Sequence, residues 1–178
     1  MVLSIGLGFE AIFLFAWTSA LLAIALIDLE YLIVPDVLIG VLVILGIAIR
    51  ALEFLSGQSD FAVVAGEMAS GLLVGGGGLY AIRAIGSRIA GREAMGLGDV
   101  KLMAAFGIVI SPLGLLVLLF VACLIGLSIE MVRRLMTVAG QVQGREIAFA
   151  PSLCLAAVIV MVWQDRLVEA AFFGFSAS

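Results

Sequence analysis

Two aspartates stand apart in this chain. Asp28 closes the apolar run Leu21-Leu22-Ala23-Ile24-Ala25-Leu26-Ile27, and Asp99 lies in Gly96-Leu97-Gly98-Asp99-Val100-Lys101, where another apolar run begins. Two carboxyls that share one site cannot both ionise cheaply, so one keeps its proton. Such a pair supplies a carboxylate to activate water and an acid to protonate a carbonyl oxygen or a leaving amine. This is aspartic-protease chemistry, which needs no metal, no cofactor and no nucleophilic Ser or Cys. The sequence contains no His. That removes His-based triads, His-ligated zinc or haem, and imidazole bases. Cys123 and Cys154 stand 31 residues apart in apolar runs without a CxxC. They read as small buried apolar side chains rather than as a metal or redox pair.

Whatever positions the two acids is built for lipid. Of 178 residues, 65% are hydrophobic and 12% charged, and the mean hydropathy is +1.34. A soluble domain runs near half apolar and a quarter charged. Net charge is -4, and nine basic residues in three regions make no phosphate-binding stripe, so no nucleic-acid partner is expected. The expected fold is all-α and polytopic, a single domain over residues 1–178 with about six transmembrane helices. The apolar segments are 4–27, 36–55, 62–84, 98–111, 113–133 and 147–164. The N-terminus has no basic region before its apolar run, so that run reads as a span and not a cleaved signal. Gly75 to Gly78 form a run of four inside the third segment, suited to close helix packing or to a hinge. Pro112 is placed to end the fourth.

Orientation follows from the cations. Three connecting stretches, 28–36, 85–97 and 134–146, fall on one side, and seven of the nine basic residues lie in or beside them: Arg83, Arg88, Arg92, Lys101, Arg133, Arg134 and Arg145. That side is expected to be cytoplasmic, with both termini outside. Arg50 and Arg166 are the exceptions, and snorkelling accommodates Arg50.

Most of the thirteen acids are unremarkable in position. Glu53, Asp60, Asp165 and Glu169 flank outer segments. Glu10, Glu67 and Glu130 fall inside spans, where a carboxyl is costly unless paired, protonated or near an interface. Asp28 falls at the C-terminal end of its helix, where it opposes the macrodipole by about 0.3–1 kcal/mol, so helix capping does not explain it. Pro35 suits the first turn of the second helix, with Asp36 complementing that helix's dipole. Asp99 has an ordinary role open to it as an N-cap. Gly96 and Gly98 allow a tight backbone there and let a peptide approach without meeting a side chain.

The residues resemble a family. Asp28-Leu29-Glu30-Tyr31-Leu32-Ile33-Val34-Pro35-Asp36 is similar to the first motif of type IV prepilin peptidases, an aspartate followed by an Ile-Pro-Asp-like turn with Val34 in place of Ile. Glu93-Ala94-Met95-Gly96-Leu97-Gly98-Asp99-Val100-Lys101-Leu102 looks like the second, glutamate then MGxGDxKL. Gln143 to Pro151, ending Phe149-Ala150-Pro151, is similar to a looser third stretch. The resemblance implies a GxGD-type membrane aspartic endopeptidase with Asp28 and Asp99 as the catalytic pair. Gly96, Gly98, Lys101, Glu93 and Asp36 would bind substrate or support the pair. Lys101 would pair with an acid or tune the aspartates, and Glu93 and Glu30 would attract a basic leader. The implied substrate is a prepilin or pseudopilin, cut at the cytoplasmic boundary of an inner membrane of bacterial or archaeal type. Larger members carry a methyltransferase portion with paired CxxC motifs. The expectation here is the peptidase portion without it. A small transporter using Glu10, Glu67 and Glu130, or a non-catalytic scaffold for a pilus or secretion machine, remain alternatives. A preflagellin or presenilin-like GxGD protease is a nearer one, and the Pro35-Asp36 turn and the Glu93-to-Leu102 string favour the prepilin type.

Overall fold

The structure, a computed structural model, describes residues 9–57, 60–93, 95–136 and 149–168. Ala94, Gln143, Arg145 and Glu169 lie outside the described residues, as do the side chains of Glu10, Arg133, Arg134, Asp165 and Arg166. Among the described residues the chain is helical throughout: α1 Phe9–Tyr31, α2 Asp36–Leu55, α3 Phe61–Leu72, α4 Gly78–Ala90, α5 Leu97–Val109, α6 Pro112–Met136 and α7 Ala150–Val168. A π turn, Leu73–Gly77, joins α3 to α4, so Phe61–Ala90 is one continuous helix. The protein is an all-α polytopic membrane protein, with six helical rods among the described residues.

Four of these are long and apolar enough to cross a membrane: Ile12–Tyr31, Asp36–Leu55, Phe61–Ala90 and Pro112–Val132. They expose Phe15, Ile44, Phe120 and Leu127 outward, a surface that suits lipid and not water. The fourth expected span differs. α5 has 13 residues and is about 20 Å long, short of a hydrocarbon core of about 30 Å. It is a buried strut, with Val100, Leu102, Met103, Ala105, Phe106, Gly107 and Ile108 all inside. It packs on α2, α3, the π turn, α6 and α7, and Phe106 meets Trp17 of α1 at 5.6 Å.

Glycine is what lets α5 sink so deep. A Cβ on Gly71 would run into the carbonyl of Gly107, and one on Gly107 into the backbone of Gly71. A Cβ on Gly75 would stand 2.5 Å from the Met103 carbonyl, and one on Gly76 2.9 Å from Ala104 Cβ. Of the two roles open to the glycine run, Gly75 and Gly76 take the packing one. The π turn widens the helix at this crossing. Pro112 begins α6 rather than ending α5, which stops at Val109 with Ile110 extended. Helix start is where proline fits, because its missing N–H has no partner to lose.

Short links join consecutive rods: Leu32–Pro35, the turn after α2, residues 91–96 and Ile110–Ser111. Antiparallel neighbours follow. The C-terminal ends of α1, α4 and α6 therefore share one level with the N-terminal ends of α2, α5 and α7.

Gly71→Ala is expected to lower the thermal unfolding midpoint in detergent, at an overpacking cost of about 1–3 kcal/mol. Gly66→Ala, on the same helix with nothing within 4 Å of its Cβ, is expected to leave the midpoint unchanged. Equal midpoints for both variants would remove the backbone contact as the reason for glycine at 71.

Candidate active site

At that shared level a cavity of about 310 Å³ is lined by Asp28, Leu32, Ile33, Val34, Asp36, Gly96, Leu97, Gly98, Asp99, Lys101 and Phe149. Six of the seven expected site residues are here, from elements as far apart as α1, α2 and α5. Glu93 is the one outside it.

Asp28 is 5% exposed. It lies in the last turn of α1, among that helix's unpaired carbonyls. The backbone N–H of Ala150 donates to its carboxyl. Ala150 is the first residue of α7, so the carboxyl meets the positive end of a second helix dipole. One residue on, Pro151 occupies a first-turn position that needs no N–H. The Phe149-Ala150-Pro151 stretch thus has a physical role as the donor end of α7.

α1 then stops abruptly. The Leu32 N–H bonds the Asp28 carbonyl at 3.0 Å, and Leu32 takes φ 56°, the one positive φ at a non-glycine among the described residues. A side chain there costs about 1–2 kcal/mol. Ile33, Val34 and Pro35 follow without helix and turn the chain into α2. Pro35 is the extended residue before α2 and not within its first turn.

Asp99 is half-buried in the first turn of α5. It is not the N-cap. Gly96 holds that position, with no side-chain cap bond. The carboxyl is close enough to Asp28 to interact with it electrostatically. The two motif glycines divide the work. A Cβ on Gly98 would stand 2.9 Å from both Cβ and Cγ2 of Val34, so Gly98 lets the first motif close on the second. A Cβ on Gly96 would find only Asp99 Oδ2 at 3.7 Å and Gly98 N at 3.9 Å. Gly96 leaves open room beside the Asp99 carboxyl.

The charged residues pair differently from what their types suggest. Lys101 Nζ meets Asp36 Oδ1 at 2.6 Å, across the cavity rim. Glu93 is engaged by Arg83, whose Nη2 lies 3.0 Å from Glu93 Oε1 and whose Nε donates to the Met95 carbonyl at 2.8 Å. Arg83 ties the 91–96 link to α4. The sequence marks it only as one more cytoplasmic cation. Arg50 does not snorkel. It is 12% exposed and donates Nε to the Ile108 carbonyl at 3.0 Å and Nη2 to the Val109 carbonyl at 2.9 Å. Its Nη1 pairs with Glu53 at 2.9 Å and Glu67 at 3.3 Å. Glu67, one of the acids behind a transport role, is therefore ion-paired. Cys154 is buried one turn into α7 as expected, but Cys123 is exposed. Among the described residues no cluster of acids and cysteines could hold a metal.

Residues 2–131 match the model of the type IV leader peptidase family. The chain belongs to that family. It is 31% identical over 169 residues to a prepilin leader peptidase/N-methyltransferase of Aeromonas hydrophila, covering 95% of this chain and 54% of that protein. The protein of that name from Pseudomonas aeruginosa is 29% identical over 170 residues, covering 92% and 53%. The one from Neisseria gonorrhoeae is 30% identical over 153 residues, covering 86% and 49%. The chain thus spans about half the length of the curated relatives it matches. No solved structure matches it.

Gly98→Ala is expected to destabilise the fold through Val34 by about 1–3 kcal/mol. Gly96→Ala, at φ -64° and ψ 143°, is expected to keep the unfolding midpoint. Thermal melts of the two variants in one detergent distinguish packing glycine from open glycine.

Proposed function

We propose that this chain, as one membrane domain, is an aspartic endopeptidase that removes the basic leader of a type IV prepilin or pseudopilin at the cytoplasmic membrane boundary. Asp28 and Asp99 are its catalytic pair. The observation that carries this reading is that two acids from helices far apart in sequence line one open cavity. Each acid also has a structural partner, the N-terminus of α7 for Asp28 and the first turn of α5 for Asp99, so it is their meeting in one cavity that supports catalysis.

Asp28, which accepts the Ala150 N–H, acts as the carboxylate and Asp99 as the acid. A water between the carboxyls loses a proton to Asp28 as its oxygen attacks the scissile carbonyl carbon. Asp99 gives its proton to the carbonyl oxygen. The resulting diol collapses, the C–N bond breaks, Asp28 passes its proton to the departing amine, and Asp99 recovers one from the diol hydroxyl. Every proton is returned, and no metal or cofactor takes part.

Substrate follows from the rim. Exposed Leu32, Ile33 and Leu97 suit the apolar start of a mature pilin. Exposed Glu30 suits a cationic leader. Gly96 supplies room for the backbone at the cut. Arg83, Arg88, Arg92 and Lys101 gather at this end of the molecule, which supports a cytoplasmic site. The name these relatives carry, prepilin leader peptidase/N-methyltransferase, supports the prepilin as substrate.

The test uses the full chain in liposomes with a purified prepilin. Asp28→Asn and Asp99→Asn should each reduce turnover by about 10²–10⁴-fold, the usual size of an acid–base contribution, and a chelator should change nothing. Ordinary cleavage by either variant would sink the assignment.

A further inference from the structure

The glycine contacts on one face of α5 fix its distance from α3 and the π turn better than its position along its own axis. Gly71 meets Gly107, Gly75 meets Met103 and Gly76 meets Ala104, backbone or Cβ against backbone. Such a crossing lacks the interlocking side-chain ridges that resist sliding. Axial position matters here, because a slip of one residue moves Asp99 by about 1.5 Å and turns it by about 100°. That face leaves the register to other contacts: Phe106 against Trp17, Ile108 and Val109 seated on Gly46 of α2, and directional polar contacts.

Among the described residues two directional side-chain contacts reach α5, and both come from α2. At the site end, Asp36, the first residue of α2, pairs with Lys101 at 2.6 Å. At the far end, Arg50 donates to the carbonyls of Ile108 and Val109 at 3.0 and 2.9 Å. There it satisfies helix-end acceptors and places a cation at the negative end of the α5 dipole. Glu53 and Glu67 hold the Arg50 guanidinium in turn. Asp36 and Arg50 sit near opposite ends of one helix, and their partners sit near opposite ends of another.

We propose that α2 is a splint that sets the axial register of α5, with Asp36, Lys101 and Arg50 as positioning residues for Asp99. The proposal rests on Asp28 and Asp99 being the catalytic pair. The site-end pair is too exposed for a large part in global stability: the Asp36 side chain is 74% exposed and that of Lys101 51%. Its loss should therefore appear in turnover and not in unfolding. A charge that merely attracts a leader would act on substrate binding instead.

The experiment measures prepilin cleavage in liposomes by the full chain, with thermal unfolding alongside. Asp36→Asn and Lys101→Met should each lower kcat by about tenfold to a hundredfold, the scale of an ångström of misplacement, with KM and the unfolding midpoint kept. The double variant should be no worse than the poorer single. Arg50→Lys keeps the cation but loses the fork that reaches two carbonyls, and it should lower kcat in the same way. Losses that multiply in the double variant, losses carried by KM alone, or unchanged kcat in any of the three single variants would overturn the splint. Asp99→Asn is run beside them. Normal cleavage by that variant overturns the catalytic pair itself, whereas an inactive Asp99→Asn with unaffected Asp36→Asn overturns only the splint.

Discussion

Asp28 is a buried carboxyl in the last turn of a helix whose own carbonyls crowd that end. A charge there is opposed twice, by desolvation and by the dipole of α1. The N-terminal end of α7 meets that carboxyl with one N–H from Ala150 and the partial positive charge behind it. Much of the topology follows from that single meeting. α7 has to run against α1 with its first residue level with the last turn of α1. It is held there by its packing on α6 and α1, and Ala150, Ser152 and Leu153 are buried in the seam. A fold that placed any other part of α7 beside Asp28 would leave a buried acid without a donor.

The second acid depends on a different kind of contact. Lipid gives helices no hydrophobic reason to associate, so close backbone approach has to supply the attraction. Gly71, Gly75 and Gly107 provide it around α5. Gly98 extends the same device to the site, where Val34 of the first motif closes on the second. The 91–96 link that leads into Gly96 is in turn held from behind by Arg83. Asp28 is thus set by a helix end, and Asp99 by glycines, a cation on the preceding link and contacts from α2.

The helices were legible because runs of apolar residues long enough to span leave little else to form. Their ends were less so. The third segment reads as stopping near residue 84, yet helix continues to Ala90, since Arg83 and Arg88 end the apolar run without ending helix propensity. Asp28 and Asp99 were legible from their place at span ends and from the strings around them. Arg50 was not. Judged against lipid it is a cation needing escape, and its true partners are carbonyls 58 and 59 residues later. Glu93 looked free because Arg83 lies a whole link away. The Ala150 donor has no side-chain signature, because a backbone N–H is the same at every residue but proline.

The shortness of α5 accounts for the open cavity beside Asp99. α5 is about 20 Å long beside four rods that are long enough to cross a core of about 30 Å. The shortfall must open as a recess at one end or the other. At the C-terminal end, Arg50 covers the last carbonyls and the Ile110–Ser111 link leads straight into α6, which closes that side. The recess therefore falls at the N-terminal end, where Leu97 is exposed and Asp99 half-buried. α1 ends at the same level, with Leu32 already out of helical register. A membrane-borne helix carries its backbone bonds internally and must give up a turn before its peptide can be attacked. For the proposed peptidase, a recess bounded by a helix that starts late and another that stops early gives water a way to that attack and leaves room for the unwound turn.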